Sequence, residues 1–357
     1  MNIDGQLGDG TTDSRTTPVE VLGITTATSV AIGAYESCAV LTNGKVMCWG
    51  ENEHGELGDG STKSSSTPVE VYGITTATQV AVGRDHSCAL LSDGEVKCWG
   101  LNDEGQLGDG STTDSTTPVY VGNITTATSI AVGGDHSCAL LADKTIKCWG
   151  SDSDIAGGND WNDDCDPCKE TISGITTAES IATNFQRSCA LLTDGTVECW
   201  GFNSDGQLGD GTTSWSRDTT VTVLDITTAK SIDLGKSHSC AVLTDGKVKC
   251  WGDNYYGQLG DGTTTDRSTP VEVSGITSAT SVVLGDDHSC AVLTDETVKC
   301  WGDNSAGELG DGTKTDRATP VDVTTAYNTT ATASGANAAA PAMVIISTLV
   351  GALAIFA

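Results

Sequence analysis

The sequence is poor in positive charge. Its 357 residues carry 18 Lys+Arg against 48 Asp+Glu, a formal net charge of −30 at pH 7. Nucleic-acid binding depends on cationic side chains that neutralise phosphates and release counterions. Docking on anionic lipid depends on basic clusters. The charge balance speaks against both. Aromatics are also scarce, at 5% with 3 Phe, and apolar residues reach only 37%. A core must therefore come from Val, Ile, Leu, Ala, Cys and a few Trp. Helical periodicity is missing from the first 323 residues, which excludes an amphipathic bundle. No nucleophile, base and acid stand together in a pattern of their own, so no enzyme and no cofactor is expected.

Cysteine, by contrast, is abundant at 14 residues. Cys38, Cys88, Cys138, Cys189, Cys240 and Cys290 recur every 50 or 51 positions, each with a partner ten residues on. The partners are Cys48, Cys98, Cys148, Cys199, Cys250 and Cys300, and each is followed by Trp-Gly. Such a period marks a repeat architecture. Within each unit, short β-prone runs alternate with Gly, Asp, Asn, Ser and Thr turns. SVVLG, SCAVLT, TVKCWG and TPVDV near the C-terminus give four strands per unit. The expectation is an all-β propeller of radially repeated sheets.

Hairpin geometry tests the spacing. A three-residue loop at Thr244, Asp245 and Gly246 places Val242 opposite Val248 and Cys240 opposite Cys250. Loops of this kind end in a left-handed residue, usually Gly. A two-residue loop would put the cysteines on opposite faces. Directly opposed cysteines are close enough to bond. The reading is therefore a disulfide in each hairpin, pairing Cys38 with Cys48, Cys88 with Cys98, Cys138 with Cys148, Cys189 with Cys199, Cys240 with Cys250, and Cys290 with Cys300. Lys144 and Glu296 replace the turn glycine. Those two turns are expected to be strained or shifted, at about 1 kcal/mol.

The pattern GxxHSCALLxDGxVxCWGxNxxGQLGDGxxxxxxxPVxV resembles the regulator-of-chromosome-condensation repeat, over residues 1 to about 323. That resemblance implies a seven-bladed β-propeller used as a rigid protein-binding disc. The family includes an exchange factor for the Ran GTPase, ubiquitin-ligase accessory domains, a UV-B photoreceptor and a secreted β-lactamase inhibitor. Fold-level likeness does not fix function. The nuclear members need no disulfide in every blade, and the cysteines here point to an oxidising compartment. The regular Trp is locked in CWG, which disfavours light sensing. GQLGDG-type segments occur seven times, counting the degenerate IAGGND at 155–160, against six Cys hairpins. Met1-Asn2 aligns with Glu51-Asn52. The preferred expectation is a truncated start, with a seventh hairpin and a secretory signal upstream. The alternative is an open or six-bladed disc.

GQLGDG lacks the Lys of a P-loop and reads as a structural turn. His86, His136, His238 and His288 precede the first hairpin Cys by two residues, with Glu36 and Arg187 in the other copies. They read as structural, each His bonding neighbouring backbone, and no metal site is assigned to them. The irregular stretch 151–170 carries Cys165 and Cys168. A local disulfide is the leading reading. A redox CxxC is disfavoured, because the flanking acids raise thiol pKa. A calcium loop from Asp152, Asp154, Asp160, Asp163 and Asp164 is a weak third. Trp161 is a candidate partner anchor.

Residues 324–341 read as a low-complexity linker. Residues 342–357 read as a hydrophobic C-terminal segment, either a GPI signal or a transmembrane anchor. Asn123 and Asn328 head N-glycosylation sequons. Together these features lead to a non-enzymatic, surface-anchored binding propeller with a protein or glycan partner and membrane contact only through the tail. An exchange regulator and a secreted enzyme inhibitor are the alternatives. Non-reducing peptide mapping should recover Cys240 joined to Cys250, and the five equivalent pairs. Free thiols there would remove the argument for an oxidising compartment.

Overall fold

A computed structural model describes residues 2–151 and 169–324, together with the strands Ile346–Ser347 and Ala352–Leu353. Six four-stranded antiparallel sheets follow one another at 27–70, 77–120, 127–171, 178–222, 229–272 and 279–322. The fold is a β-propeller of six complete blades, with no helix among the described residues. The second blade is representative. Its strands are Ala77–Val82, His86–Leu91, Val96–Gly100 and Ser115–Tyr120, paired in chain order. First strands of successive blades adjoin one another around the axis.

The hairpin register is the one the cysteine spacing requires. Cys88 faces Cys98 and Leu90 faces Val96. Disulfides join all six hairpin pairs, with Cα atoms 4.0–4.1 Å apart. The Leu243 amide donates to Lys247 O and the Gly246 amide to Leu243 O, which closes the three-residue loop. Of the two outcomes expected at Lys144 and Glu296, strain is found and a shift is not. Both residues adopt the left-handed conformation, at φ 71° and 67°, and keep the common hairpin register. In each hairpin five cross-strand pairs outvote one unfavourable φ.

Each blade is sandwiched between neighbours, so both faces of its middle strands are apolar. In His86–Leu91, Cys88 and Leu90 join a cluster with the third blade, whereas Ala89 and Leu91 join one with the first. Trp99 turns towards the first blade and packs in the cluster that holds Cys38 and Cys48. Trp149, Trp200, Trp251 and Trp301 do the same over the second to fifth disulfides. The cluster around Cys290 and Cys300 contains no Trp.

Residues 2–21 form a seventh sector without a strand of their own. Trp49 Nε1 donates to Gln6 O at 2.8 Å, as Trp149 does to Gln106 O at 2.9 Å. On the other side, the Gly312 amide donates to Thr16 O at 3.1 Å, matching Gly60 to Thr116 at 2.9 Å. This segment therefore bridges the first and last blades. The strands Ile346–Ser347 and Ala352–Leu353 pair with each other and lie beside the first strands of blades one and six.

Trp99 is fully buried, whereas Trp215 is 71% exposed. Trp99→Ala should cost about 3–5 kcal/mol, and Trp215→Ala no more than about 0.5 kcal/mol. Denaturant unfolding without reductant measures both. Similar losses would contradict the inter-blade role of the CWG tryptophan.

Candidate functional site

Antiparallel pairing gives the disc two unlike faces. The upper face carries the turn between first and second strands and the long loop between third and fourth. The lower face carries the cysteine hairpin turns and the links between blades. The GxxH positions and the GQLGDG loops all belong to the upper face.

The long loops are held from inside. Asn102 is fully buried. Its Nδ2 donates to Ser111 O and Thr113 O at 3.0 and 3.1 Å, and its Oδ1 accepts the Leu107 amide at 2.9 Å. Asn52 makes the same set at 3.2, 3.1 and 2.9 Å. Asn203, Asn254 and Asn304 occupy the equivalent place, each accepting from a Leu amide. Gly108 has φ +64°, and an added Cβ would fall 2.7 Å from Trp149 Cδ1. The motif is a packing turn against the next blade's indole, not a phosphate cradle. Four of these loops add a two-pronged ion pair, such as Arg317 Nε and Nη2 on Asp311 Oδ2 at 3.2 and 2.9 Å. Burial opposes ionisation of Asp311, but hydrogen bonds from Thr313 and Arg317 hold its pKa at about 2.

His86, His136 and His238 reach a serine hydroxyl of the next blade, where the sequence reading expected neighbouring backbone. His86 Nε2 lies 2.8 Å from Ser137 Oγ in the next blade. Ser137 Oγ donates to Gln106 O, which also accepts Trp149 Nε1. The hydroxyl proton is thus committed, so His86 donates through Nε2, and its Nδ1 has no partner. His238, Ser289, Gln258 and Trp301 repeat the relay. His136 lies 3.0 Å from Ser188 Oγ. Burial pushes the pKa of His86 down to about 3 and that of His136 to about 4, and drives His238 well below the usual range.

Two blades break the ring. Arg187 is buried and extends into the fifth blade, donating to the carbonyls of Lys236, Gly235 and His238. Its neighbour Asp233 is raised to about 7 by burial. Glu36 is fully buried, and neither carboxylate oxygen has a side-chain partner; the Tyr35 amide alone favours its ionised form. Burial and then repulsion from Glu56, Asp85 and Glu51 raise its pKa well above the carboxylate range. Glu51, Glu104 and Asp135 are also raised, first by burial and then by neighbouring carboxylates. Asp287 is lifted to about 6 on the same grounds. The upper face is therefore electrostatically crowded with acid.

Among the described residues, no cluster of three His, Cys, Asp or Glu is arranged to hold a metal, and no helix is long and apolar enough to cross a membrane. Cys165, Cys168, Trp161, the calcium candidates Asp152, Asp154, Asp160, Asp163 and Asp164, and Asn328 lie outside the described residues. Asn123 is exposed in a left-handed turn on the lower face, at φ 59°. The relay serine and the loop Asn were missed, although a Ser precedes every first hairpin Cys and an Asn follows CWG by one residue in five units.

The buried neutral histidines set a pH limit. Their pKa values are depressed relative to the unfolded chain, so they contribute stability above about pH 6.5 that is lost as pH falls towards 3. Thermal melts should show Tm falling through that window, and His86→Gln should flatten the fall. An unchanged slope would mean that His86 is not part of the acid response.

An RCC1-like domain model matches residues 1–340. Among curated proteins, the Arabidopsis thaliana ultraviolet-B receptor UVR8 is 35% identical over 89 residues, 25% of this chain and 20% of the receptor. The Homo sapiens E3 ubiquitin-protein ligase HERC2 is 31% identical over 87 residues, 24% of this chain and 2% of the ligase. These matches span a fifth or less of the relatives' own length. Human WBSCR16 superposes with a TM-score of 0.77 at 22% identity, covering 87% of this chain and 85% of that one. Yeast RCC1 (Prp20), solved with Kap60, gives 0.72 at 22% identity, covering 84% and 75%. These two solved structures carry the fold alone. The family match runs through every blade just described, and the chain belongs to the RCC1-like domain family, whose propellers mediate protein binding or regulation.

Proposed function

We propose that this chain is a non-enzymatic binding disc of the cell surface or extracellular space that engages a protein or glycan partner through one face. The observation that carries the proposal is the disulfide in every blade. Twelve cysteines are bonded and nearly all are shielded from solvent. Disulfides in this number belong to oxidising compartments. Their burial means that a reductant must part the blades to reach them.

Two features support surface placement. Asn123, in its Asn-Ile-Thr sequon, stands where other units have Gly23, Gly73, Gly174 and Gly275. A Cβ at each of those glycines would meet nothing within 4 Å. The acceptor side chain therefore points into open space, as glycosylation requires. The apolar composition of residues 342–357 supplies an anchor, removed in a GPI-linked protein or kept in a transmembrane one. A sugar at Asn123 crowds the lower face and leaves the upper one to the partner.

The test uses intact cells that express the full chain. Surface antibody labelling should be positive, and peptide N-glycosidase should sharpen and shift the band. Asn123→Gln should remove part of that shift. Phospholipase release separates the lipid anchor from a spanning one. An intracellular, unglycosylated, thiol-bearing protein would sink the proposal. Accelerated nucleotide release from a Ran-type GTPase would replace it with the exchange-regulator reading.

A further inference from the structure

The most unusual group in the molecule is Glu36. Five blades fill the corresponding place with a side chain that reaches across an interface or an imidazole that packs against its own turn. Blade one fills it with a fully buried carboxylate that no side chain meets. Glu36 Oε2 lies beside Gly33, in the turn that presents Tyr35, and the Gly83 carbonyl of the next blade approaches the same spot. Glu51, Glu56 and Asp85 surround this notch closely enough to repel it. Arg84, beside Asp85, is committed: its Nε is 2.6 Å from Asp85 and its Nη2 3.6 Å from Asp135. The lip is aromatic, with Tyr35 42% exposed.

Blade four shows what a cation does in this setting. Arg187 occupies the same ring position and satisfies three carbonyls of the adjoining turn. Blade one presents the inverse arrangement, acid within and acid around, and among the described residues no cation stands with the groups that bear most on Glu36. A buried unpaired carboxylate is costly. It is the kind of local conflict that a fold keeps where a partner resolves it.

We propose that the upper face binds a cationic protein segment, and that the acidic cluster between blades one and two, with Glu36 and Glu56 buried beneath the half-buried Glu51 and Asp85, opens to receive one Arg or Lys side chain. Tyr35 offers its ring to the same cation. The acidic loops of the remaining blades, including Asp103 and Glu104, steer the basic segment across the disc. The inference rests on reading the chain as a protein-binding disc, and it adds the face and the partner's chemistry. Placing a cation beside Glu36 ionises it, so binding releases a proton and strengthens as pH rises.

A fluorescent oligo-arginine peptide, with an oligo-glutamate peptide as control, tests this on the full oxidised chain. Glu53→Lys with Glu104→Lys reverses two exposed upper-face charges. Glu95→Lys with Glu296→Lys makes the same charge change on the lower face. Lys already stands at those turn positions in other blades, as Lys45, Lys247 and Lys144. The upper pair should weaken peptide binding about tenfold or more, and the lower pair by less than about twofold. Glu36→Gln should raise Tm while weakening the peptide severalfold, a split that a merely structural residue does not produce. Affinity should rise between about pH 5 and 8 and fall with added salt.

Equal weakening by both charge pairs would reduce the effect to net charge and overturn the site. Unchanged affinity in Glu36→Gln would overturn the notch. Calcium displacing the peptide one for one would make this a metal site instead. Binding lost only in the lower-face pair would overturn the face and leave the binding-disc reading standing. An intracellular, reduced protein would sink that reading without altering these affinities.

Discussion

No blade of this protein has a core of its own. A four-stranded sheet has two faces, and here both must be covered by neighbours. The contact that accomplishes this is the CWG indole lying in the cluster that holds the preceding blade's disulfide. It excludes water from the Cys pair, and its Nε1 ties down the carbonyl of the preceding long loop. The aromatic-poor composition is thereby explained. One Trp per repeat is enough when it serves the interface and two polar groups at once.

The local parts of the fold were legible because they are encoded within about ten residues. Cys-x9-Cys fixes a hairpin register by arithmetic alone, and Asp-Gly marks its turn. The contacts between blades were not legible in that way. His86 meets Ser137 about one repeat away, and nothing in GRDHSC names a serine in another unit as the partner. Arg187 and Glu36 were visible as departures from His, but their consequences depend on what the adjoining turn offers. Arg187 meets three carbonyls. Glu36 meets other carboxylates. The Lys144 and Glu296 turns show the opposite limit. A local rule forecast strain or a shift, and the ladder on either side leaves the strain in place and prevents the shift.

Charge is distributed with a similar division of labour. The ring histidines are kept neutral by desolvation, so the relay hydrogen bonds between them and the next blade's serines persist without repulsion between imidazoles. The upper loops neutralise some of their acid with ion pairs such as Arg317 on Asp311. What remains uncompensated collects on the upper loops, where carboxylates lie close enough to raise one another's pKa. The net charge of −30 is therefore not a uniform coat. It contains local conflicts that the fold sustains because the disulfides and indoles beneath are strong.

The bond from the Gly312 amide to Thr16 O joins points about 300 residues apart, whereas each hairpin closes a loop of about ten, so the entropy of closure separates the two kinds of event. Blades can form and be cross-linked one after another as the chain emerges, each templated by its predecessor. Among the described residues, closure of the circle runs through loop hydrogen bonds of residues 2–21 to the first and sixth blades. The described disc is a necklace whose beads are locked covalently and whose clasp is not.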